Sequence, residues 1–203
     1  MIALLIFFQL LPENESLIYE TNDNGRMGTI QVTSTLDRYG YHVTYVSDRV
    51  IEVILDSMDL STRHVRKIID NDTVLEITSG SILTVYLKGR EYRYDNEQAV
   101  YDRHTLDFAL RGFDYVPGFK TMFRLHVPEL TVVNAELAVL GEAVVQTPAG
   151  EFLCWEVAMK PRILFFSRRF FFYIEKEYPR RFIKYEDQSG GSSIILGRYE
   201  AGH

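Results

Sequence analysis

The stretch GEAVVQTPAGEFLCWEVAMKP, residues 141–161, decides the fold, together with its continuation RILFFSRRFFFYIEKEYPRRFIKYEDQSGGSSIILGRY over 162–199. Apolar and aromatic runs alternate there with turn signals at Thr147-Pro148-Ala149-Gly150, Glu177-Tyr178-Pro179 and Ser189-Gly190-Gly191. Val, Ile, Phe and Tyr fit a pleated surface, while Pro and Gly end a ladder, so this pattern predicts consecutive antiparallel strands. A sheet this apolar needs something to pack against, and the rest of the chain must supply it.

Upstream the same reading continues. Residues 16–21 have strand character and are followed by Asn22-Asp23-Asn24-Gly25, residue types that tolerate positive φ. Residues 28–36 alternate, with Ile30, Val32 and Leu36 opposite Thr29, Gln31, Thr33 and Thr35; Tyr41, Val43 and Tyr45 repeat the pattern opposite His42 and Thr44. Runs at 50–55, 61–69, 74–77, 82–87 and 91–94 extend the meander through turns at Asp70-Asn71-Asp72, Ser79-Gly80 and Lys88-Gly89. Residues 120–127, 130–139 and 142–146 return to β after a break. The turn count predicts about ten antiparallel strands.

The break is DRHTLDFALRG, residues 102–112, where Leu106, Leu110 and Phe113 recur at spacings of four and three with Ala109 beside them. Asp102 is placed to cap a helix there, and Gly112 to stop it in the left-handed conformation. So short a helix is stable only with its apolar face on the sheet. The predicted architecture is mainly β: one antiparallel, strongly curved sheet with one short covering helix. With no repeat, low-complexity tract or Ser/Gly/Pro linker, residues 15–203 read as one domain.

Composition excludes some functions. With 203 residues the chain can bury a core without staples. Its 22 basic and 28 acidic side chains give a net charge of −6, the wrong field for a nucleic-acid partner. One cysteine, Cys154, permits neither an internal disulfide nor a Cys-based zinc site, and its place in an apolar strand reads as core. There is no nucleophile elbow, phosphate loop, dinucleotide fingerprint or zincin motif. The five histidines, at 42, 64, 104, 126 and 203, do not pair at helical or strand spacing, so neither a metal nor another cofactor is expected. His104 lies near Asp102 and Asp107, but these are also ordinary residues for the first turn of a helix. The pairs Arg168-Arg169 and Arg180-Arg181 are balanced by Glu175, Glu177, Glu186 and Asp187, as expected for ion pairs on a solvated face.

The chain carries 13 Phe, 13 Tyr and one Trp. Phe165-Phe166 and Phe170-Phe171-Phe172-Tyr173 are apolar on both faces of their strand, which is therefore covered on both sides or lines a cavity. Two readings stand: a packed aromatic core, or a concave sheet that takes an apolar ligand beneath the helix. In the second, Leu106, Ala109 and Leu110 of the helix and Trp155, Phe170 and Phe172 of the sheet line the site.

The order of Leu106 to Gly112, then Gly-Glu-x-Val-x-x-Thr-Pro-Ala-Gly-Glu-Phe over 141–152, then YPRRFIKYE over 178–186, resembles a family of uncharacterised bacterial cell-envelope proteins. The resemblance implies the half-barrel of lipoprotein carriers (LolA/LolB-like), an antiparallel sheet wrapped partly around helices, and a periplasmic or envelope location. It transfers no catalytic residue. What it implies is a non-enzymatic protein that binds a lipid, another apolar molecule or a lipidated partner in the concave face. The alternative is a structural or assembly module that binds an envelope protein through a sheet edge.

Residues 2–11 are apolar except for Gln9 and end at Pro12. They are too short to span a bilayer as a helix but match the core of a secretion signal, although no Lys or Arg precedes them and no small-x-small cleavage site follows. Residues 1–14 are thus a signal remnant, a membrane-contacting helix or a buried element of the fold, a departure from the family's usual secretion signal.

Overall fold

The computed structural model describes residues 9–128, 131–163 and 168–201. Eight strands form a first meander: β1 (Asn14–Asp23), β2 (Arg26–Asp37), β3 (Gly40–Val46), β4 (Val50–Leu55), β5 (Thr62–Ile69), β6 (Asp72–Ser79), β7 (Ile82–Leu87) and β8 (Arg90–Asp95). The short β9 (Val100–Asp102) leads into a helical segment: a 3-10 turn Arg103–Thr105, one α-helical turn α1 (Leu106–Ala109), and a second 3-10 turn Leu110–Gly112. A second meander follows with β10 (Lys120–Val127), β11 (Thr131–Thr147), β12 (Gly150–Pro161), β13 (Phe170–Glu175), β14 (Phe182–Asp187) and β15 (Ser192–Ala201).

All fifteen strands belong to one sheet, in the order β8-β7-β6-β5-β4-β3-β2-β1-β15-β14-β13-β12-β11-β10-β9. Every neighbouring pair is antiparallel except β9–β10. Fifteen strands about 4.8 Å apart would span about 67 Å if the sheet were flat. Its two ends, β8 and β9, are joined by residues 96–99 alone, a link that reaches at most about 19 Å. The sheet must therefore curl on itself, yet β8 and β9 do not pair and it stays open. This is the predicted curved, mainly β architecture.

The described residues form fifteen strands rather than about ten because two-residue loops use so little chain. At Asp70-Asn71 and Lys88-Gly89 both loop residues have positive φ, the twist-matched hairpin turn. Inside the curl, one row of opposed residues runs across eight strands: Glu15, Ser34, Val43, Val53, Val65, Ile77, Val85 and Tyr92. All are buried except Tyr92, at the edge.

The helical segment differs from the expected three-turn amphipathic helix. Asp102 does cap it, accepting from the His104 backbone N–H. Gly112, however, is not left-handed; a Cβ there would come within 3.1 Å of Leu60 Cδ1, which would have to give way by a few tenths of an ångström. Nor is one face exposed, for Thr105, Leu106, Phe108, Ala109, Leu110 and Arg111 are all buried. Three polar ties carry the segment across the inner face. Thr105 meets Thr62 of β5, Asp107 accepts from Tyr45 of β3, and Arg111 donates to Glu15 of β1. The helix sits inside the sheet as part of the core.

The apolar segment at the amino end lies outside the described residues up to residue 8. Leu11 is fully buried, and its backbone exchanges hydrogen bonds with the Tyr41 hydroxyl. Among the described residues no helix is long and apolar enough to cross a membrane.

Candidate binding surface

Leu106, Ala109 and Leu110 are brought together by the helix, and all three are buried. Trp155, half-buried on β12, joins Phe113 and Tyr115, which follow the helix, in a cleft completed by Glu175, Lys176 and Arg180. Its volume is about 40 Å3, room for about one water. The Lys176 ammonium lies over the Trp155 ring at 4.4 Å and pairs with Glu142. Phe170 and the buried Phe172 belong to a separate aromatic group, each packed on Tyr185, with Phe172 also against Phe182. Phe165 and Phe166 lie outside the described residues.

Two polar clusters lie deeper in the protein than the sequence implies. The buried Asp102 carboxylate bridges two imidazoles, with Nδ1 of His104 2.7 Å from one oxygen and Nδ1 of His126 2.6 Å from the other. Burial alone would raise the Asp102 pKa, but hydrogen bonds from the two histidines outweigh it and hold the carboxyl well below its usual range. His104 thus has the partner that its sequence neighbourhood hinted at, and the cluster ties β9, the helix start and β10 together. The hint was Asp102 itself, legible only as a cap. Among the described residues no group of His, Cys, Asp and Glu could hold a metal ion.

The second cluster is Arg181 with Glu175. It is half-buried, not solvated as expected: the guanidinium makes two hydrogen bonds to the carboxylate and lies between the Phe152 and Tyr199 rings. Cys154 is fully buried, and desolvation pushes its thiol up to about 12, so it does not supply a thiolate.

What remains open to a partner is the edge at β8. The Lys88-Gly89 loop joins Leu87 directly to Arg90, so that pair is hydrogen-bonded and the ladder alternates from there. The backbone N–H and C=O of Glu91, Arg93 and Asp95 therefore point away from β7. The Asp95 carbonyl accepts from Arg124 of β10, which also reaches the Gln98 carbonyl across the seam. The Tyr94 ring packs near His126 of β10. Among the described residues, the outward backbone groups of Glu91 and Arg93 have no partner at the end of the sheet. Their side chains form an ion pair along the strand, and hydrogen bonds from Tyr86 and Arg93 hold the Glu91 carboxylate below its usual range.

No protein-family model and no curated protein sequence matches the chain. Among solved structures it is similar to a beta-barrel-like protein of domain of unknown function DUF1849 from Brucella abortus, with a TM-score of 0.55 and 15% identity over 95% of this chain and 99% of that one. It is also similar to MucB, at a TM-score of 0.39 and 14% identity, covering 94% of this chain and 54% of that one. The MucB likeness recurs in the MucA/MucB complex of Pseudomonas aeruginosa, at a TM-score of 0.35 and 14% identity, covering 94% and 52%. The first of these establishes a shared fold.

Proposed function

We propose that the chain is a non-enzymatic binding module of the cell envelope that takes an extended segment of a protein partner onto the β8 edge. The observation that carries this is a strand at the end of a fifteen-strand sheet, with the backbone groups of Glu91 and Arg93 turned outward and unpaired among the described residues. An open edge is a template for one more strand, with main-chain hydrogen bonds giving affinity and alternate side chains giving selectivity. The envelope location rests on the resemblance of the turn motifs.

The test is selection from a random peptide library on dilute protein, with hydrogen exchange on any peptide selected. The peptide should protect the Glu91 and Arg93 amides, and Arg93→Pro, which removes one outward N–H without touching the β7 ladder, should not bind it. A peptide that binds the proline variant equally well, or no selected peptide at all, counts against the edge.

A second reading keeps an apolar ligand or lipidated partner near Leu106, Ala109, Leu110, Trp155, Phe170 and Phe172, in the manner of the LolA/LolB-like carriers. It is favoured by the aromatic cleft of Phe113, Tyr115 and Trp155, which would have to widen beyond its volume of about 40 Å3. Trp155 is the only tryptophan, so a fatty acid entering there should shift the entire tryptophan emission, excited selectively beyond the tyrosine absorption. Unchanged emission up to a saturating probe concentration removes this reading.

A further inference from the structure

We infer that the strand seated on β8 is the β8 of a second copy of this chain, so that the two sheets join about a two-fold axis through Tyr92. The inference rests on the edge reading above and deepens it by naming the partner.

Two β8 strands related by a two-fold axis run antiparallel, and residues facing each other must share the same hydrogen-bonding side. The axis must then pass through a residue position. At Tyr94 Arg93 would face Asp95, but the outward Asp95 carbonyl already accepts from Arg124, and among the remaining positions the charges choose. With the axis at Glu91, two glutamates face each other. At Arg93 the two arginines meet, and Glu91 falls opposite Asp95. At Tyr92 each Glu91 stands opposite an Arg93 on the other copy, and the outward backbone groups of these residues form the hydrogen-bonded pairs. Within each strand Glu91 and Arg93 are already paired, with Nε to Oε1 at 2.5 Å, so the join would close a ring of four alternating charges.

The inner face fits the same register. The row of opposed residues that begins at Glu15 ends at Tyr92, which is 39% exposed while Val85 beside it is 2% exposed. In the joined sheet the two Tyr92 residues occupy a non-hydrogen-bonded site, the closer class of cross-strand pair, at about 4.5 Å between Cα atoms. The row then continues from one copy into the next. Such a self-complementary join is closed, as the common two-fold dimers are.

Sedimentation velocity on the full chain between about 1 and 100 µM tests this, with parent, Glu91→Arg, Arg93→Glu and the double exchange compared. The parent should dimerise. Each single exchange sets like charges opposite each other twice and should weaken the dimer about tenfold or more, and the double exchange should restore it. Far-ultraviolet circular dichroism should be the same for all four, since both side chains are on the surface. A parent that stays monomeric at the highest concentration overturns the inference. So does a dimer that the single exchanges leave intact, or one that the double exchange fails to restore. A monomeric parent that still selects a β8-bound peptide would leave the edge reading standing without self-pairing.

Discussion

Arg111, at the end of the helical segment, and Glu15, at the start of the first strand, meet in the interior across 96 residues of chain. Nη1 lies 2.5 Å from Oε1 and Nη2 3.1 Å from Oε2, with the two side chains 1% and 0% exposed. Nη2 also donates to the Pro179 carbonyl, the guanidinium rests against the Phe108 ring, and Nε alone has no acceptor. Two desolvated charges repay their burial only when geometry and extra hydrogen bonds are good, and here they tie helix, first strand and the β13–β14 turn to one point.

Breaking that point should be costly. Arg111→Met leaves the Glu15 carboxylate buried and unpaired and should lower stability by about 3–5 kcal/mol. The double variant Arg111→Met with Glu15→Leu should recover most of the loss. Urea denaturation of the three proteins at pH 7 checks it; a single variant as stable as the parent would mean that water reaches the site.

Leu110 separates a lid from a core. It is fully buried within the curl, so Leu110→Ala should cost about 2–5 kcal/mol, the range for an aliphatic side chain cut back in a packed interior. A loss well below that range, in thermal or urea melts, would point to empty space under the helix.

Two glycines with positive φ should respond differently to alanine. At Gly40, with φ of 130°, a Cβ would stand 2.0 Å from the Leu55 carbonyl oxygen, whereas at Gly89, with φ of 77°, nothing lies within 4 Å. Gly89→Ala should cost about 1–2 kcal/mol, the left-handed penalty alone. Gly40→Ala must also move the β4 backbone and should cost more. Equal melting temperatures for the two variants would contradict the close approach at Gly40.

Cys154 should be chemically silent in the folded protein. Its side chain is buried, and desolvation raises the thiol to about 12. A thiol reagent at pH 8 should react only on unfolding, with a rate that tracks added urea. Prompt reaction in native buffer would contradict this burial.

These relationships were unequally legible in the sequence. Hairpins such as Asp70-Asn71 and Lys88-Gly89 are local, because few residue types accept the positive φ they need, and the turns could be read directly. Alternation in β2 and β3 likewise marks which side chains go inward. The cap at Asp102 was legible for the same reason. The fate of the charges was not. Glu15, Arg111, Arg181 and Asp102 look in sequence like any surface charge. Glu175 and His104 stand close in sequence to Arg181 and Asp102, but only the curl of the sheet buries these pairs, and it alone brings Arg111 to Glu15 across 96 residues. The helix is a similar case: period 3.6 identifies its apolar stripe but cannot say that the sheet wraps around its other side too.

Asp107 provides a pH signature of that wrapping. Its carboxyl accepts from the Tyr45 hydroxyl at 2.7 Å. Burial raises it to about 6, against the lowering effects of that hydrogen bond and of the Arg111 charge. Tyr19 and the Glu15 carboxylate share the same interior. Because the folded protein holds this proton more tightly than the unfolded chain, the stability it contributes is fully present below about pH 4 and is lost as pH rises to about 6. Asp107→Asn removes the titration while leaving an acceptor for Tyr45. The variant should therefore gain on the parent between pH 4 and pH 7, by at most about 2–3 kcal/mol for a shift of this size. Other titrating groups, including Asp102, whose depressed carboxyl loses stability only in strong acid, are common to both proteins and cancel in the difference. Urea midpoints of parent and variant at pH 4, 5, 6 and 7 give that difference directly. Midpoints that stay a constant distance apart over this range would show that Asp107 is already solvated in the folded protein.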